Sequence, residues 1–312
     1  MWLPKALAKA TDVKSLFDHD NMLNASPLES VDYLVLGHIT NDLLPNGNQI
    51  GGTASYAALT ARMLGKQVGI VTAVGDENPL ALFDGIQLRG MEAERSTTFE
   101  NISTPEGRAQ FVHHISPTIQ PFHVPELWRN TPIVHFGPLV DELDFSLLRL
   151  FPDALKIVTP QGWLRDWDRN GQVRPSEWPD ATFVLANMDA AILSIDDVGH
   201  DWSRIDEFAY ACPILVVTRG ERGARVYVAG DTYDALPPEQ TEFDAVGAGD
   251  IFATAFGIHL HTTKDPVAAL TFATHLASYS VTRAGLDSIP TRDEIYRSLD
   301  AAEAYLQPED IF

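Results

Sequence analysis

Residues 243–260 read FDAVGAGDIFATAFGIHL, with Asp244 and Asp250 on either side of a turn of small residues. Gly247, Ala248 and Gly249 are small enough to let a ligand approach the main chain, and the segment behind them is apolar and helix-like. The first N–H groups of a helix have no partner within it and carry the positive end of its dipole, about half a charge. Such a turn therefore makes an anion site without any basic side chain. Asp250 stands in the first turn, where its carboxylate can accept a proton from a hydroxyl held at the same point. Phosphoryl transfer needs in-line placement, charge neutralisation and a base beside the nucleophile. Taken alone, the pattern is also that of an ordinary helix start whose aspartate complements the dipole. A dinucleotide fingerprint is disfavoured, because the third glycine of G-x-G-x-x-G is missing.

Other residues with chemical potential read more plainly. His113 and His114 are neighbours on a strand-like run and point to opposite faces. His259 and His261 on a helix diverge by about 200°. Neither pair has a carboxylate or cysteine at ligand spacing, so no metal site by direct side-chain ligation is expected. Cys212, the one cysteine, lies in ACPILVVT and reads as a buried, inert thiol. Without a second cysteine no internal disulfide forms, which fits a reducing, cytoplasmic setting. Of the six tryptophans, four fall between Trp128 and Trp178, and packing in a core or dimer surface explains them better than sugar stacking. Arg165 could reach a phosphate, and reads equally well as a solvated partner of Asp166 and Asp168.

The elements that must position these residues alternate along the chain. VDYLVLG, QVGIVTAVG, PIVHFGPL, LKIVTP, ATFVLAN and CPILVVT are short apolar runs expected as buried strands. GGTASYAALTARMLG, NPLALFDGIQLRG, DELDFSLLRLF and SRIDEFAYA carry helical spacing between them. The fold class expected is α/β, a mostly parallel central sheet with helices on both faces. Residues 96–115 break the rhythm as a β-hairpin, expected to form a small lid or a dimer surface. Residues 1–30, with the helix-like LAKATDVKSLFDHD, form an extension of unassigned role, and residues 31–312 are expected as one domain. A net charge of −21 disfavours nucleic acid and anionic membranes as partners. No run approaches the roughly 18 apolar residues of a membrane span. With 45% hydrophobic residues in 312, the chain can bury a large core.

In several places, in one order, the chain resembles the ribokinase-like (PfkB) carbohydrate kinases. DAVGAGD resembles the D-T-x-G-A-G-D signature, and GGTASYAALTARMLG resembles the N-terminal signature in which a Gly-Gly pair opens a helix. VLGHITNDLL is similar to the first strand with its sugar-binding aspartate, here Asp42. VVTRGERGARVY is similar to the segment that approaches the nucleotide, and THLASYSVTRAGLDSIPTRDEI to the helix and loop that close over the base. The matches spread from Val31 to Ile295. The resemblance implies ATP-dependent phosphorylation of an alcohol on a sugar, polyol or nucleoside. It implies Asp250 as base and the amides of Ala248, Gly249 and Asp250 as anion hole, with Gly247 allowing the turn. Asp42, Gly51 and Gly52 would meet the substrate. Thr218, Gly220 and Gly223 would line the nucleotide, with His275 and Ala277 flanking the adenine. Mg²⁺ would bridge the nucleotide phosphates, and a monovalent cation beside the anion hole is common in the family. The assembly expected is a monomer or a homodimer through the lid.

Three departures from the family pattern stand out. Tyr56 replaces a substrate-binding asparagine, offering one O–H and more bulk. The N-x-x-E motif that places Mg²⁺ reads Asn187-Met-Asp-Ala190, leaving Asp189, or Asp244 at the signature, as the available carboxylates. LLPNGNQI, between Asp42 and Gly51, is short, which implies one trimmed lid strand. That feature, with VTPQGWLRDWDRNGQV and ERGARVY, leans towards the myo-inositol kinase-like branch. The missing glutamate and Tyr56 also keep open a non-catalytic sensor of a nucleotide or sugar.

Overall fold

The computed structural model describes residues 27–45, 47–104 and 107–306; LAKATDVKSLFDHD lies outside them. In chain order the strands are β1 (Tyr33–Leu36), β2 (Thr40–Leu44), β3 (Gly47–Gly51), β4 (Val68–Val74), β5 (Gln87–Glu92), β6 (Thr97–Thr104), β7 (Gly107–His114) and β8 (Ile133–Phe136). They continue as β9 (Leu155–Val158), β10 (Arg165–Trp167), β11 (Val173–Pro175), β12 (Ala190–Ser194), β13 (Ile214–Thr218), β14 (Ala224–Val228) and β15 (Asp231–Ala235). The helices are α1 (Thr53–Met63), α2 (Ala181–Leu185), α3 (Trp202–Ala211), α4 (Ala248–Thr263), α5 (Pro266–Ser280) and α6 (Arg292–Leu306).

Among the described residues, nine strands form one sheet in the order β15-β14-β13-β12-β9-β8-β1-β4-β5. Neighbours from β13 to β5 run parallel, and β14 and β15 add an antiparallel edge. Parallel strands must be covered on both faces, and alternate residues of β1 show how. Tyr33 and Val35 enter one core with α1, α4 and α5. Leu34 and Leu36 enter the other with Trp128, Trp163, Trp178 and Phe208 of α3. Those three tryptophans are thus core residues, with Trp163 and Trp178 stacked at 5.5 Å. Cys212 is buried, and burial pushes its thiol up to about 11. Among the described residues no helix is long and apolar enough to cross a membrane.

Three segments differ from their expected form. NPLALFDGIQLRG divides into a 3₁₀ turn, Leu80–Phe83, and β5, because Gly85 turns the chain at φ 76°. ATFVLAN is the short helix α2, not a strand: Ala181, Val184 and Leu185 are buried while Thr182 and Phe183 are exposed, which is helical spacing. A short apolar run suits either form, and here the strand follows it as β12. DELDFSLLRLF holds only a 3₁₀ turn, Phe145–Arg149, started by Asp144 accepting the Ser146 N–H.

The region expected as a lid or a dimer surface is larger than a hairpin. LLPNGNQI is not trimmed away; β2 and β3 pair antiparallel there, and β2 runs parallel to β6. The result is a four-stranded sheet, β3-β2-β6-β7. Phe99 and Val112 of the lid pack on Leu139 and Val140, with Trp167 and Val173 of the β10–β11 hairpin against them. The Val112 N–H donates to Gly171 O at 2.8 Å, joining that hairpin to the lid.

Candidate active site

The loops that follow β1, β8, β9, β12 and β13 leave the sheet at one edge, where a parallel sheet places its ligands. A cavity of about 1300 Å³ opens there beneath the lid. The start of α4 forms part of its wall.

Gly247 precedes α4 in the left-handed region, φ 81°, and a Cβ on it would lie 2.3 Å from the Tyr56 ring. Only glycine meets both demands. Ala248 N–H donates to Ala245 O at 3.2 Å, and Ile251 N–H to Gly247 O at 3.0 Å. Between them, the N–H groups of Gly249 and Asp250 find no protein acceptor among the described residues, and no side chain caps the helix. A Cβ on Gly249 would meet nothing within 4 Å, so the turn faces open space. The loop before it is tied down, with the Phe243 and Asp244 N–H groups both donating to Val281 O.

Asp250 lines the cavity. Burial pushes its carboxyl up to about 6; the Thr53 hydroxyl opposes the rise, Asp197 adds to it and Arg165 opposes it. A carboxylate poised near neutrality can take a proton at working pH and give it up again. Tyr56 is buried beside it, and burial together with Asp250, Asp42 and Asp244 keeps its phenol protonated.

Asp42, Gly52 and Tyr56 line the lid side of the cavity with Phe99, Asn101 and Gln110. Asp42 accepts the Thr40 hydroxyl at 3.0 Å. Gly51 stays behind the wall, where a Cβ would collide with the Asp42 carboxylate at 2.3 Å, so its role is to let that side chain lie flat. Thr218, Gly220, Gly223 and Ala277 line the opposite end, with Gly247, Ala248 and Gly249 between. His275 is not in the wall; Thr274, Ala277 and Ser278 of the same helix are.

Asn187 requires correction. It precedes β12, at the end of the sheet away from the cavity, and its side chain donates to Phe183 O at 2.8 Å. Asp189 accepts the Lys156 N–H at 2.7 Å, and neither residue is in the cavity wall. Asp244 also lies outside the wall, accepting the Val246 N–H at 3.0 Å. The carboxylates at the cavity end of β12 are Asp196 and Asp197, next to Ser194. The sequence signal for them is a polar S-x-D-D cluster directly after a buried AAIL run. Asp197 accepts from Gln161 at 3.2 Å and from the Ser194 N–H at 2.9 Å. Arg165 lies 3.9 Å from it and donates to Gln110 of the lid at 3.0 Å, linking the lid to the β12 end.

Comparison with known proteins finds carbohydrate and nucleoside kinases. The model of the pfkB family carbohydrate kinases matches residues 204–292. A cytidine kinase of Thermococcus kodakarensis is 26% identical over 244 residues, covering 72% of this chain and 87% of that protein. A ribokinase of Bacillus subtilis is 42% identical over 83 residues, 26% of this chain and 28% of that protein. Among solved structures, a pyrophosphate-dependent kinase of the ribokinase family, complexed with a pyrophosphate analog and myo-inositol, superposes with a TM-score of 0.71 at 19% identity, covering 85% of this chain and 99% of that one. Arabidopsis thaliana ribokinase complexed with ribose and ATP gives 0.68 at 17% identity, covering 87% and 99%.

Proposed function

We propose, for this small-molecule kinase of ribokinase-like fold, a transfer of the γ-phosphoryl group of ATP to a hydroxyl of a small sugar, polyol or nucleoside. Asp250 takes the hydroxyl proton, and its pKa near 6 leaves it mostly ionised at neutral pH. The migrating group rests against the N–H groups of Gly249 and Asp250, which have no acceptor among the described residues and sit at the positive end of α4. Asp42, Asn101 and Gln110 offer polar groups to the acceptor, and Tyr56 limits its size from below. The nucleotide extends from the turn past Gly220 and Gly223 towards Ala277.

Asp196 and Asp197 suit a hydrated Mg²⁺, since both are carboxylates in the cavity wall and Asp197 is close enough to Asp250 to raise its pKa. When bound, the ion would neutralise phosphate charge that this acidic chain offers few cations to balance. Their presence also weakens one of the two motives for the sensor reading, the glutamate missing after Asn187, and leaves the other, Tyr56, as it was. The observation that carries the reading is the meeting of the Asp250 carboxylate and two unpaired amides in one cavity wall. Its test is ATP consumption with ribose, cytidine and myo-inositol in parallel, using Asp250→Asn as control. The expected result is turnover on at least one of these alcohols and its loss in the variant; undiminished turnover in Asp250→Asn sinks the assignment.

A further inference from the structure

Behind the cavity floor runs a chain of buried polar groups that the transfer itself does not use. Thr159, at the end of β9, lines the cavity, and its Oγ1 lies 3.1 Å from His135 Nε2. His135 Nδ1 lies 2.8 Å from the Tyr33 hydroxyl. Tyr33 donates to Thr254 Oγ1 at 3.3 Å, and Thr254 donates to the main-chain oxygen of Asp250 at 2.8 Å. Tyr33 and His135 are wholly buried. Burial pushes His135 down to about 3, so the ring is neutral and carries one proton.

The direction of the chain follows from counting. Four contacts join these groups, and four protons are available, one each on Thr159, His135, Tyr33 and Thr254. The last acceptor is a carbonyl oxygen, which has no proton to give. Thr254 must therefore donate to it, Tyr33 to Thr254, and His135 to Tyr33 through Nδ1. Nε2 is left as an acceptor, and Thr159 turns its hydroxyl proton inward to fill it. Any other assignment leaves a buried contact without a proton.

From this arrangement we infer that Thr159 is a specificity-determining residue: a hydroxyl held as acceptor only, which recognises a second hydroxyl on the substrate beside the one phosphorylated. A Cβ placed on Gly137 would lie 2.4 Å from Thr53 Cγ2 and 3.6 Å from Thr159 Oγ1, so a single glycine separates the two threonines. Thr53 also lines the cavity, and its hydroxyl is near enough to the Asp250 carboxyl to oppose the rise of its pKa. Asp250, Thr53 and Thr159 line the same cavity, so its wall presents two acceptors, Asp250 and Thr159, to two O–H donors of a polyol. A single alcohol or a deoxy sugar satisfies only one.

This inference rests on the kinase reading, and two measurements separate their fates. The ¹⁵N shifts of His135 in the wild-type protein report which ring nitrogen carries the proton. Nδ1 is expected, and a proton on Nε2 overturns the proposal whatever the kinetics. Kinetics with ribose, cytidine, myo-inositol and their mono-deoxy analogues then read the selectivity. Thr159→Val is expected to lower kcat/KM for the preferred polyol roughly tenfold while sparing the analogue that lacks the neighbouring hydroxyl. Thr159→Ser should keep the preference. Tyr33→Phe frees His135 to change tautomer and should narrow the preference towards that of Thr159→Val. Turnover with unaltered discrimination in Thr159→Val, or a loss confined to the KM for Mg–ATP, sinks the proposal alone. Absence of turnover on every alcohol removes the kinase reading and the proposal with it.

Discussion

In the proposed function Asp250 and the two glycines before it concentrate the chemistry, and each makes a separable prediction. The Asp250 carboxyl is pushed up to about 6. A base works only when ionised, so kcat/KM should rise as pH increases through about 6 and level off above it. In Asp250→Asn that acidic limb should vanish, with residual activity lower by ~10²–10⁴-fold. A pH–rate profile from 5 to 8.5 checks both. Gly247 and Gly249 are two residues apart yet differ in kind. Gly247→Ala must place a Cβ at φ 81° and 2.3 Å from the Tyr56 ring, so it should lower the melting temperature as well as activity. Gly249→Ala adds a methyl group that meets nothing within 4 Å. It should leave the melting temperature within about 1 °C by the usual behaviour of unstrained surface sites. On the proposed function activity should nonetheless fall, because the methyl group would stand where the phosphoryl group is placed. Thermal melts beside initial rates separate the two cases.

At the level of elements, α4 works because it sits close on the sheet. A Cβ on Gly257 would come within 2.5 Å of Ile157 Cδ1, on β9. Gly257→Val should therefore lift the helix and cost about 1–3 kcal/mol, the usual penalty of overpacking. Adding Ile157→Ala should recover part of that stability, measured by urea melts of the two singles and the double. Activity should follow the helix, since the Asp250 carboxylate and its neighbouring amides move with it. The four-stranded sheet β3-β2-β6-β7 is the second element that bears on the proposed function. Its Gln110 holds Arg165, which in turn lies 3.9 Å from Asp197 at the end of β12. Lid position and the donor end of the cavity are thus linked through one guanidinium.

At the level of the whole molecule, a net charge of −21 surrounds a site that, on the proposed function, admits ATP. The field repels ATP at long range, and salt screens it over about 10 Å at 0.1 M. The KM for ATP, at constant free Mg²⁺, should therefore fall as sodium chloride rises from about 20 to 150 mM. A KM that climbs over this range would mean that local attraction outweighs the global field. The acceptor, being uncharged in the proposed classes, should show little change in the same titration.

The sequence by itself determined the α/β class, the turn before α4, and the two glycine-opened helices, because these depend on local patterns: small residues, caps and spacing along a few turns. It also marked the β6–β7 hairpin, since β-rich runs around a turn do not fit the helical rhythm beside them, but not the pairing of β2 and β3 with it. Tertiary structure decided the rest. ATFVLAN and AAILS are both short apolar runs, and only packing against the sheet made the first a helix and the second β12. That choice placed Asp196 and Asp197, and not the expected Asp189 or Asp244, in the cavity wall, since strand direction sets which end meets the cavity. The chain from Thr159 through His135 and Tyr33 to Thr254 spans residues up to 221 positions apart for one contact, beyond the reach of any local pattern. Local chemistry is written in neighbours along the chain. Which carboxylates and hydroxyls face one another is decided by which strands lie side by side.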